Sequence, residues 1–403
     1  MTSHAVTGEG AAPGVAGTAA RARIYTNLRT AHLERFRTMV PARTFYTGTR
    51  YDFDASLVDP TNPPVRVTRP GAVRELLRRH YAVVELNEPD MVTEWPFLLA
   101  QIGAVRLRGL VSRQRTAVVS YCIGLTDPAF ELRRRWRLPR PIARPVARVG
   151  MTLLVLGTDR LAFGTTRSQA LHESWVGRHP LAARARLFEA LPSPCRCLAG
   201  TAEARTPTEV LFVGRLTERK GIKQIVNAWD VVRRDHPHAT LRILGQGDLE
   251  AEVLAWAGDR PEVAVEIDPP RETIHRALRR SGVLIYLPQL RPDPEQIGLP
   301  IVEGLSHGCE LVVTSETGLA RWLQEHRHGV LAPDAPVERV AAEVAAAFRR
   351  ATERHGSLGD LPRDDQRIAA DRWLMTGHAE ETATGPSCRP RVPQDPDPVE
   401  RRH

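Results

Sequence analysis

The chain has 403 residues with 42% hydrophobic residues, enough for packed cores in two domains. Its net charge of +9 and pI near 9.8 indicate an anionic partner such as a phosphate, an acidic lipid or nucleic acid. No signal-peptide segment is visible and the apolar run Met151 to Leu156 is too short to span a bilayer, so the composition favours a cytoplasmic protein.

The N-terminal half alternates irregularly between candidate strands and helices. Residues 1–20 are rich in Ala, Gly and Thr and predict a disordered leader. Residues 21–195 predict a divergent Rossmann-like α/β domain. Its candidate strands are Val65–Val67, Tyr81–Leu86 and Thr116–Tyr121, and its candidate helices are Ala72–His80, Val92–Ile102 and Arg167–Gly177.

Residues 131–150 form a strongly basic stretch, with seven arginines against one acid, Glu131. One interpretation is docking on an anionic membrane surface, peripherally on the inner face. The other is an arginine-rich surface loop that is simply solvated. No aromatic platform or nucleic-acid-binding module accompanies the stretch, so nucleic acid is not predicted as a partner.

The five cysteines are an odd, scattered set in which Cys195 and Cys197 form the only close pair. No cluster of His or Cys lies beside that pair in the sequence. The pattern therefore predicts free thiols in a reducing compartment and no metal site.

The C-terminal half has the clearer pattern. Residues 192–208 contain three prolines (Pro192, Pro194 and Pro207), so residues 196–208 predict an interdomain linker, and residues 209–352 predict a second doubly wound domain. Residues 353–381 predict a helical segment and residues 382–403 a disordered tail. The candidate strands of the second domain are Glu209–Gly214, Thr240–Leu244, Val263–Ile267, Val283–Leu287 and Leu311–Thr314, and its helices are Gly221–His236, Asp248–Ala257, Arg271–Arg280, Leu299–His307 and Val337–Ala351.

A loop with two cations joins the first strand of this domain to its first helix. Lys220 and Lys223 are the only lysines of the chain, and Lys220 lies just before Gly221 at the predicted helix start. A compact ammonium at a helix N-terminus suits a phosphate. Gly214, Arg215 and Lys220 therefore form a candidate diphosphate site, whereas the simpler interpretation is a βα loop with two solvated cations.

A second segment, Glu295 to Glu303, follows the strand Val283–Leu287. Gly298 makes a turn and Leu299 begins a helix, so Glu303 lies about one turn inside it. Ligands of open α/β sheets bind at the carboxyl ends of the strands. The two carboxylates could hold hydroxyl groups at both ends of a sugar diphosphate, or they could be two surface acids.

Together, the segments Gly214–Gly221 and Glu295–Glu303 resemble the donor domain of the group 1 (family 4) retaining glycosyltransferases of the GT-B fold. Arg242–Gly247, Val283–Pro288 and Ala332-Pro333 are similar to further family motifs. The resemblance covers residues 208–335 well and the N-terminal half in outline. It implies two Rossmann-like domains that face a cleft, with the acceptor bound on the N-terminal side.

The resemblance also implies site roles. Arg215 and Lys220 would contact the diphosphate of a nucleoside diphosphate sugar, and the backbone N–H groups of Gly298 and Leu299 would face the phosphates. Glu295 would hold the transferred sugar and Glu303 the ribose. The family needs neither a metal nor a cofactor beyond its donor substrate.

The implied activity is a hexosyltransferase in polysaccharide biosynthesis, with a glycan or lipid-linked acceptor. The chain departs from the family pattern because no glycine-rich loop follows an N-terminal strand and Ser120–Ile123 takes the place of a frequent histidine. These departures leave open a non-catalytic sugar-nucleotide-binding protein. A GT-B epimerase or a phosphorylase is a further alternative, although the Glu295–Glu303 motif is typical of transferases.

Overall fold

The computed structural model describes residues 20–50, 53–198, 205–289, 295–354 and 358–377. The predicted tail 382–403 and all but residue 20 of the predicted leader lie outside these residues. Two parallel sheets, each covered by helices, organise the described residues.

The first sheet contains seven strands within the described residues, and every neighbouring pair is parallel. Its order is β3-β2-β1-β4-β5-β6-β7. The strands are β1 Arg21–Leu28, β2 Arg43–Thr49, β3 Val65–Arg66, β4 Val83–Leu86, β5 Ala117–Cys122, β6 Arg160–Phe163 and β7 Ala185–Leu187. The helices are α1 Thr30–Phe36, α2 Arg69–Arg78, α3 Trp95–Ser112, α4 Pro128–Trp136, α5 Arg140–Gly157, α6 Thr166–Val176 and α7 Arg178–Ala182.

The second sheet contains six parallel strands within the described residues, in the order β10-β9-β8-β11-β12-β13. The strands are β8 Thr206–Val213, β9 Thr240–Leu244, β10 Val263–Glu266, β11 Ser281–Tyr286, β12 Glu310–Thr314 and β13 Gly329–Leu331. The helices are α8 Ile222–Asp235, α9 Glu250–Ala257, α10 Arg271–Arg280, α11 Leu299–His307, α12 Ala320–Glu325 and α13 Val337–Arg354.

The strand order reverses once in each sheet, between β1 and β4 in the first and between β8 and β11 in the second. Strands β11 and β12 are buried along their whole length, as expected for central parallel strands with helices on both faces. Two crevices therefore open at the carboxyl ends of the strands, which is where doubly wound sheets bind their ligands.

Contacts between the two domains come from segments that follow strand ends. Arg167 in α6, after β6, donates to Ser315 O, after β12, at 2.9 Å. Arg271 at the start of α10 lies 3.8 Å from the carboxylate of Glu34 in α1, after β1. The carboxyl edges of the two sheets thus face each other across a cleft.

The last described helix, α14 Gln366–Thr376, returns to the N-terminal sheet. Its Asp371 is fully buried and binds Arg23 of β1 at 2.7 Å. Arg23 also pairs with Glu85 of β4 at 3.1 Å, and Glu85 pairs with Arg367 of α14 at 2.8 Å. A buried chain of four charges therefore fixes α14 across the first sheet.

The apolar pattern of the sequence was sufficient to predict the bounds of three elements in the C-terminal domain. Strand Thr240–Leu244 and helices Arg271–Arg280 and Leu299–His307 are confirmed residue for residue. The helix predicted to start at Asp248 begins instead at Glu250, and Asp248 is not its N-cap. The interpretation of residues 131–150 as a loop is wrong, because all of them except the connecting residues 137–139 lie in α4 and α5.

Candidate functional site

The loop after β8 places Lys220 at the crevice of the second sheet. A short 3-10 turn spans Glu218–Lys220, and Gly221, with a φ of +78°, caps the N-terminus of α8, which begins at Ile222. A Cβ on Gly221 would come within 2.2 Å of Leu287 O, so only glycine fits this close approach to the end of β11. Arg215 is exposed at the start of the loop.

Lys220 reaches across from this loop to the segment after β11. Its ammonium forms an ion pair with Glu295 and lies 5.4 Å from the ring centroid of Tyr286. Gln289 N donates to Arg219 O at 2.8 Å, which ties the two loops together at the backbone. The site therefore joins elements from both sides of the strand-order reversal.

The segment after β11 is held by the loop after β12. Glu295 forms a parallel bridge with Thr317, and Gly318 N donates to Gln296 O at 2.9 Å. Gly298 then turns the chain with a φ of +80° and precedes α11, whose Pro300 lies in the first turn. The first N–H groups of a helix have no intrahelical partner and favour an anion.

Glu303 in α11 binds an arginine that the sequence did not single out. Arg271, the first residue of α10, binds the Glu303 carboxylate at 2.6 Å and is also 3.8 Å from Glu34 of the N-terminal domain. Burial by itself would lower the pKa of Arg271, but the neighbouring carboxylates of Glu303 and Glu34 outweigh it and raise that pKa above its ordinary value. The only sequence signal for Arg271 was its place at a predicted helix start, which did not reveal its partner.

The charged residues of the predicted site therefore form two separate ion pairs. Lys220 and Glu295 are in direct contact, whereas Glu303 contacts Arg271. Gly298 and Leu299 form the start of α11, as predicted. Residues 290–294, in the lengthened approach to Glu295, lie outside the described residues.

The N-terminal domain contributes a polar groove of about 890 Å³ that the sequence did not predict. It lies at the carboxyl ends of β1, β2 and β3, at the N-terminus of α2 and against α4. Arg69 binds the buried carboxylate of Glu94 at 2.6 Å in this groove, and Thr26 donates to the same carboxylate at 3.0 Å. Its lining residues include Thr26, Asn27, Thr47, Arg66, Thr93 and Arg135.

Two carboxyl groups, the buried Asp90 and the partly buried Glu88, stand at the strand-order reversal of the first sheet. Burial, and for Glu88 the neighbouring Asp90, raises the pKa of both groups. Glu88 accepts hydrogen bonds from the N–H groups of Ile123 and Gly124, which follow β5. Glu88 therefore connects the loops after β4 and β5.

The sequence shows no His or Cys cluster beside Cys195 and Cys197, but the fold brings two histidines to that pair. His275 of α10 and His307 of α11 meet the two thiols, with all four candidate donor atoms within 4.8 Å of one another. The sequence could not reveal this cluster, because 110 residues separate Cys197 from His307.

Part of the chain matches a known family. Residues 207–350 match the model described as Glycosyl transferases group 1. The amylovoran biosynthesis glycosyltransferase AmsK of Erwinia amylovora is 27% identical over 141 residues, which are 34% of this chain and 35% of AmsK. A glycogen synthase of Mycobacterium tuberculosis is 31% identical over 163 residues, which are 36% of each chain. The match thus spans about a third of the length of these curated relatives.

The fold is similar to a solved structure over nearly the whole chain. The structure of Anabaena Alr3699/HepE in complex with UDP aligns with a TM-score of 0.57 and 14% identity, covering 88% of this chain and 95% of that one. Together with the two parallel sheets, this likeness confirms the predicted GT-B fold. The group 1 resemblance is supported for residues 207–350.

Proposed function

We propose that the protein is a retaining glycosyltransferase of the group 1 type that transfers a sugar from a nucleoside diphosphate donor to a glycan or lipid-linked acceptor. The observation that carries this proposal is the contact of Lys220 with Glu295 at the reversal between β8 and β11. A cation and a carboxylate there match the two ends of a sugar diphosphate. The similarity of residues 207–350 to group 1 transferases supports the same assignment.

The donor would lie along the crevice with its diphosphate at the start of α11. Lys220 and Arg215 would bind the phosphate oxygens, and the N–H groups of Gly298 and Leu299 would complete their coordination. Glu295 would then bind the sugar hydroxyls. Glu295 pairs with Lys220 in the structure, so a bound diphosphate would compete with Glu295 for the ammonium.

The ribose end of the donor would meet Glu303. Because Arg271 binds one oxygen of that carboxylate at 2.6 Å, it holds the group in a fixed orientation. An ionised carboxylate is a strong acceptor for two neighbouring hydroxyl groups. Arg271 is therefore proposed as the residue that positions Glu303.

In the proposed transfer, the bond between the anomeric carbon and the diphosphate oxygen breaks while the acceptor oxygen attacks from the same face. The acceptor proton passes to the departing phosphate oxygen, so no side-chain base is required. Negative charge develops on that diphosphate, and Lys220 and Arg215 would stabilise it without reorganisation. These two cations are proposed to do the work that a metal ion does in other phosphate chemistry.

A panel of UDP-, GDP- and ADP-linked sugars tests the proposal. We expect one nucleotide class to be turned over, with release of the nucleoside diphosphate by transfer or slow hydrolysis. UDP-sugars come first in the panel because the similar HepE structure contains UDP. Saturable binding without turnover would favour a non-catalytic sugar-nucleotide-binding protein, and the absence of both binding and turnover would contradict the proposal.

The acceptor is proposed to bind in the groove of the N-terminal domain. Threonine and asparagine side chains of the groove suit sugar hydroxyls, and Arg66, Arg69 and Arg135 suit an anionic group. Arg135 belongs to α4 and therefore links the groove to the basic stretch 131–150. An acceptor with both a sugar and a phosphate, as in a lipid-linked glycan, fits this lining.

We further propose that α5 docks on an anionic membrane surface. Ile142, Val149, Leu153 and Leu156 are spaced on one face of α5 and are 50 to 59% exposed. Exposed arginines also occur on α4 and on the first half of α5; they are Arg133, Arg134, Arg135, Arg140, Arg144 and Arg148. No helix among the described residues has both the length and the apolar character needed to cross a membrane, so α5 would lie on the surface.

Vesicle flotation tests this docking face. We expect binding to vesicles that contain phosphatidylglycerol, weak binding to pure phosphatidylcholine, and loss of binding at high salt. Each arginine near the surface contributes about 1 kcal/mol, or roughly fivefold in binding. Replacing Val149 and Leu153 by glutamate should abolish flotation.

The matched control is Leu254→Glu in α9, an exposed leucine of the donor domain. It should leave flotation unchanged. Equal flotation of all variants would overturn the membrane proposal. A salt-insensitive dimer in solution that the Val149 and Leu153 variants dissociate would assign this face to a second copy of the chain.

A further inference from the structure

A cluster of two thiols and two imidazoles lies behind the donor crevice, where the interdomain connection meets the C-terminal domain. The Sγ atoms of Cys195 and Cys197 are 2.7 Å apart. His307 Nε2 lies 3.2 Å from Cys197 Sγ and 3.0 Å from His275 Nδ1. Four donor atoms from three separate segments thus converge on one point, among the described residues the only such set.

The hydrogen bonds of His307 determine which of its nitrogens faces the cluster. Its Nδ1 lies 2.7 Å from Glu303 O, which is an acceptor only, so Nδ1 carries the proton and donates. The Nε2 lone pair is therefore directed at Cys197 and His275. A histidine that donates one N–H to a carbonyl while its other nitrogen faces outward is oriented as metal-binding histidines are.

The four side chains lie close enough together to share one ion. All four candidate donor atoms lie within 4.8 Å of one another, and two ligands of a tetrahedral zinc ion stand roughly 3 to 4 Å apart. His307 is buried, and the other three side chains are partly buried. A shared ion that all four donors contact accounts for this convergence from separate segments of the chain.

We propose that Cys195, Cys197, His275 and His307 bind a zinc ion. Two thiolates and two neutral imidazoles are a ligand set that zinc prefers, and four protein donors match its tetrahedral coordination. Because the protein supplies all four ligands, no position remains for water or substrate, which makes the site structural and not catalytic. The proposal is independent of the proposed transferase activity.

The ion would fasten the interdomain connection to two helices of the donor domain. Cys195 N already donates to Ser306 O at 2.7 Å, next to His307. On α10 and α11, the zinc ligands His275 and His307 lie one turn beyond Arg271 and Glu303, respectively. Zinc and the Arg271–Glu303 ion pair would therefore fix the same two helices at successive turns.

Metal analysis of the full chain, purified without a histidine tag and without chelator, tests the site. We expect about one zinc per chain in the wild type and close to none in Cys197→Ser and His275→Gln. Cys122→Ala, in strand β5 of the other domain, and His238→Gln, at an exposed position, are the matched controls and should retain the zinc.

Cobalt substitution of the wild type keeps the test valid if a ligand variant fails to fold. After zinc is removed by a chelator, added Co²⁺ should give the visible bands of tetrahedral coordination and a thiolate-to-cobalt charge-transfer band. Zinc, but not Mg²⁺, should raise the melting temperature of the metal-free protein.

Three results would overturn the proposal. The first is a wild type without zinc whose Cys195 and Cys197 thiols both react freely with a thiol reagent. The second is a disulfide between the two cysteines in protein isolated under reducing conditions. The third is a zinc content that stays unchanged in Cys197→Ser and His275→Gln.

Discussion

Replacing Lys220 by alanine is expected to lower the rate of sugar transfer by roughly 100- to 1,000-fold, the usual effect of removing one preorganised charge from a developing anion. Lys220 stands at the reversal between β8 and β11 with its ammonium on Glu295. Its loss would leave the departing diphosphate without this cation and Glu295 without its partner. Steady-state kinetics with the sugar nucleotide found in the panel measures the effect.

Lys223, in the first turn of α8, provides a matched control. It is the only other lysine, its side chain is 44% exposed against 21% for Lys220, and it lies 4.0 Å from the exposed Glu252. Lys223→Ala should therefore keep nearly full activity. Lys220→Arg keeps the charge but replaces a compact ammonium by a wide planar group, so partial activity is expected. Equal rates for the Lys220 and Lys223 alanine variants would remove the phosphate role of Lys220.

Replacing Asp371 by alanine should lower the free energy of unfolding by about 3 to 5 kcal/mol, because it breaks a buried ionic network. Asp371 accepts hydrogen bonds from Arg23 at 2.7 Å and from Val40 N at 2.7 Å. Without it, the buried guanidinium of Arg23 would share the single carboxylate of Glu85 with Arg367. Urea unfolding followed by circular dichroism measures the change.

An exposed ion pair provides the control for the effect of Asp371→Ala on the free energy of unfolding. Arg178 is 88% exposed and pairs with Glu173 at 3.1 Å. Arg178→Ala should change the urea midpoint little, because exposed pairs contribute little to stability. An Asp371→Ala midpoint close to that of Arg178→Ala would show that α14 is not held by its charges.

The sequence predicted the C-terminal domain well because its signals are local. Strands such as Val283–Leu287 are continuous apolar runs, and Gly221 and Gly298 mark turns at helix starts. The observed β11 begins two residues earlier, at Ser281, since the strand end depends on pairing with β8. Lys220 and Glu295 were predicted to share a site because both follow central strands.

The N-terminal domain was predicted less well because its elements depend on distant partners. Strand β1 contains Arg23, which interrupts the apolar pattern and is buried only through Glu85 and Asp371. Helix α5 was not predicted because its arginines and Pro145 interrupt the helical pattern of apolar residues. Small residues such as Ala143 and Ala147, which give only a weak apolar signal, form much of its buried face. The polar groove could not be predicted without strands β1 and β2.

The sequence also could not predict which side chains of the site contact each other. Arg271 reaches Glu303 only because α10 and α11 pack side by side, and the same packing brings His275 to His307. Periodicity predicts each helix correctly but not which helix is its neighbour. The contacts that complete the proposed donor site and the proposed zinc site are therefore visible only in the folded structure.

Calorimetric titration of wild type and Lys220→Ala with UDP, GDP and ADP, and with the corresponding nucleosides, is the decisive test of the proposed donor site. We expect one nucleoside diphosphate to bind the wild type, and we expect Lys220→Ala to weaken its binding far more than that of the matching nucleoside. If none of the three nucleotides binds, or if Lys220→Ala weakens diphosphate and nucleoside equally, the crevice between β8 and β11 is not a sugar-nucleotide site.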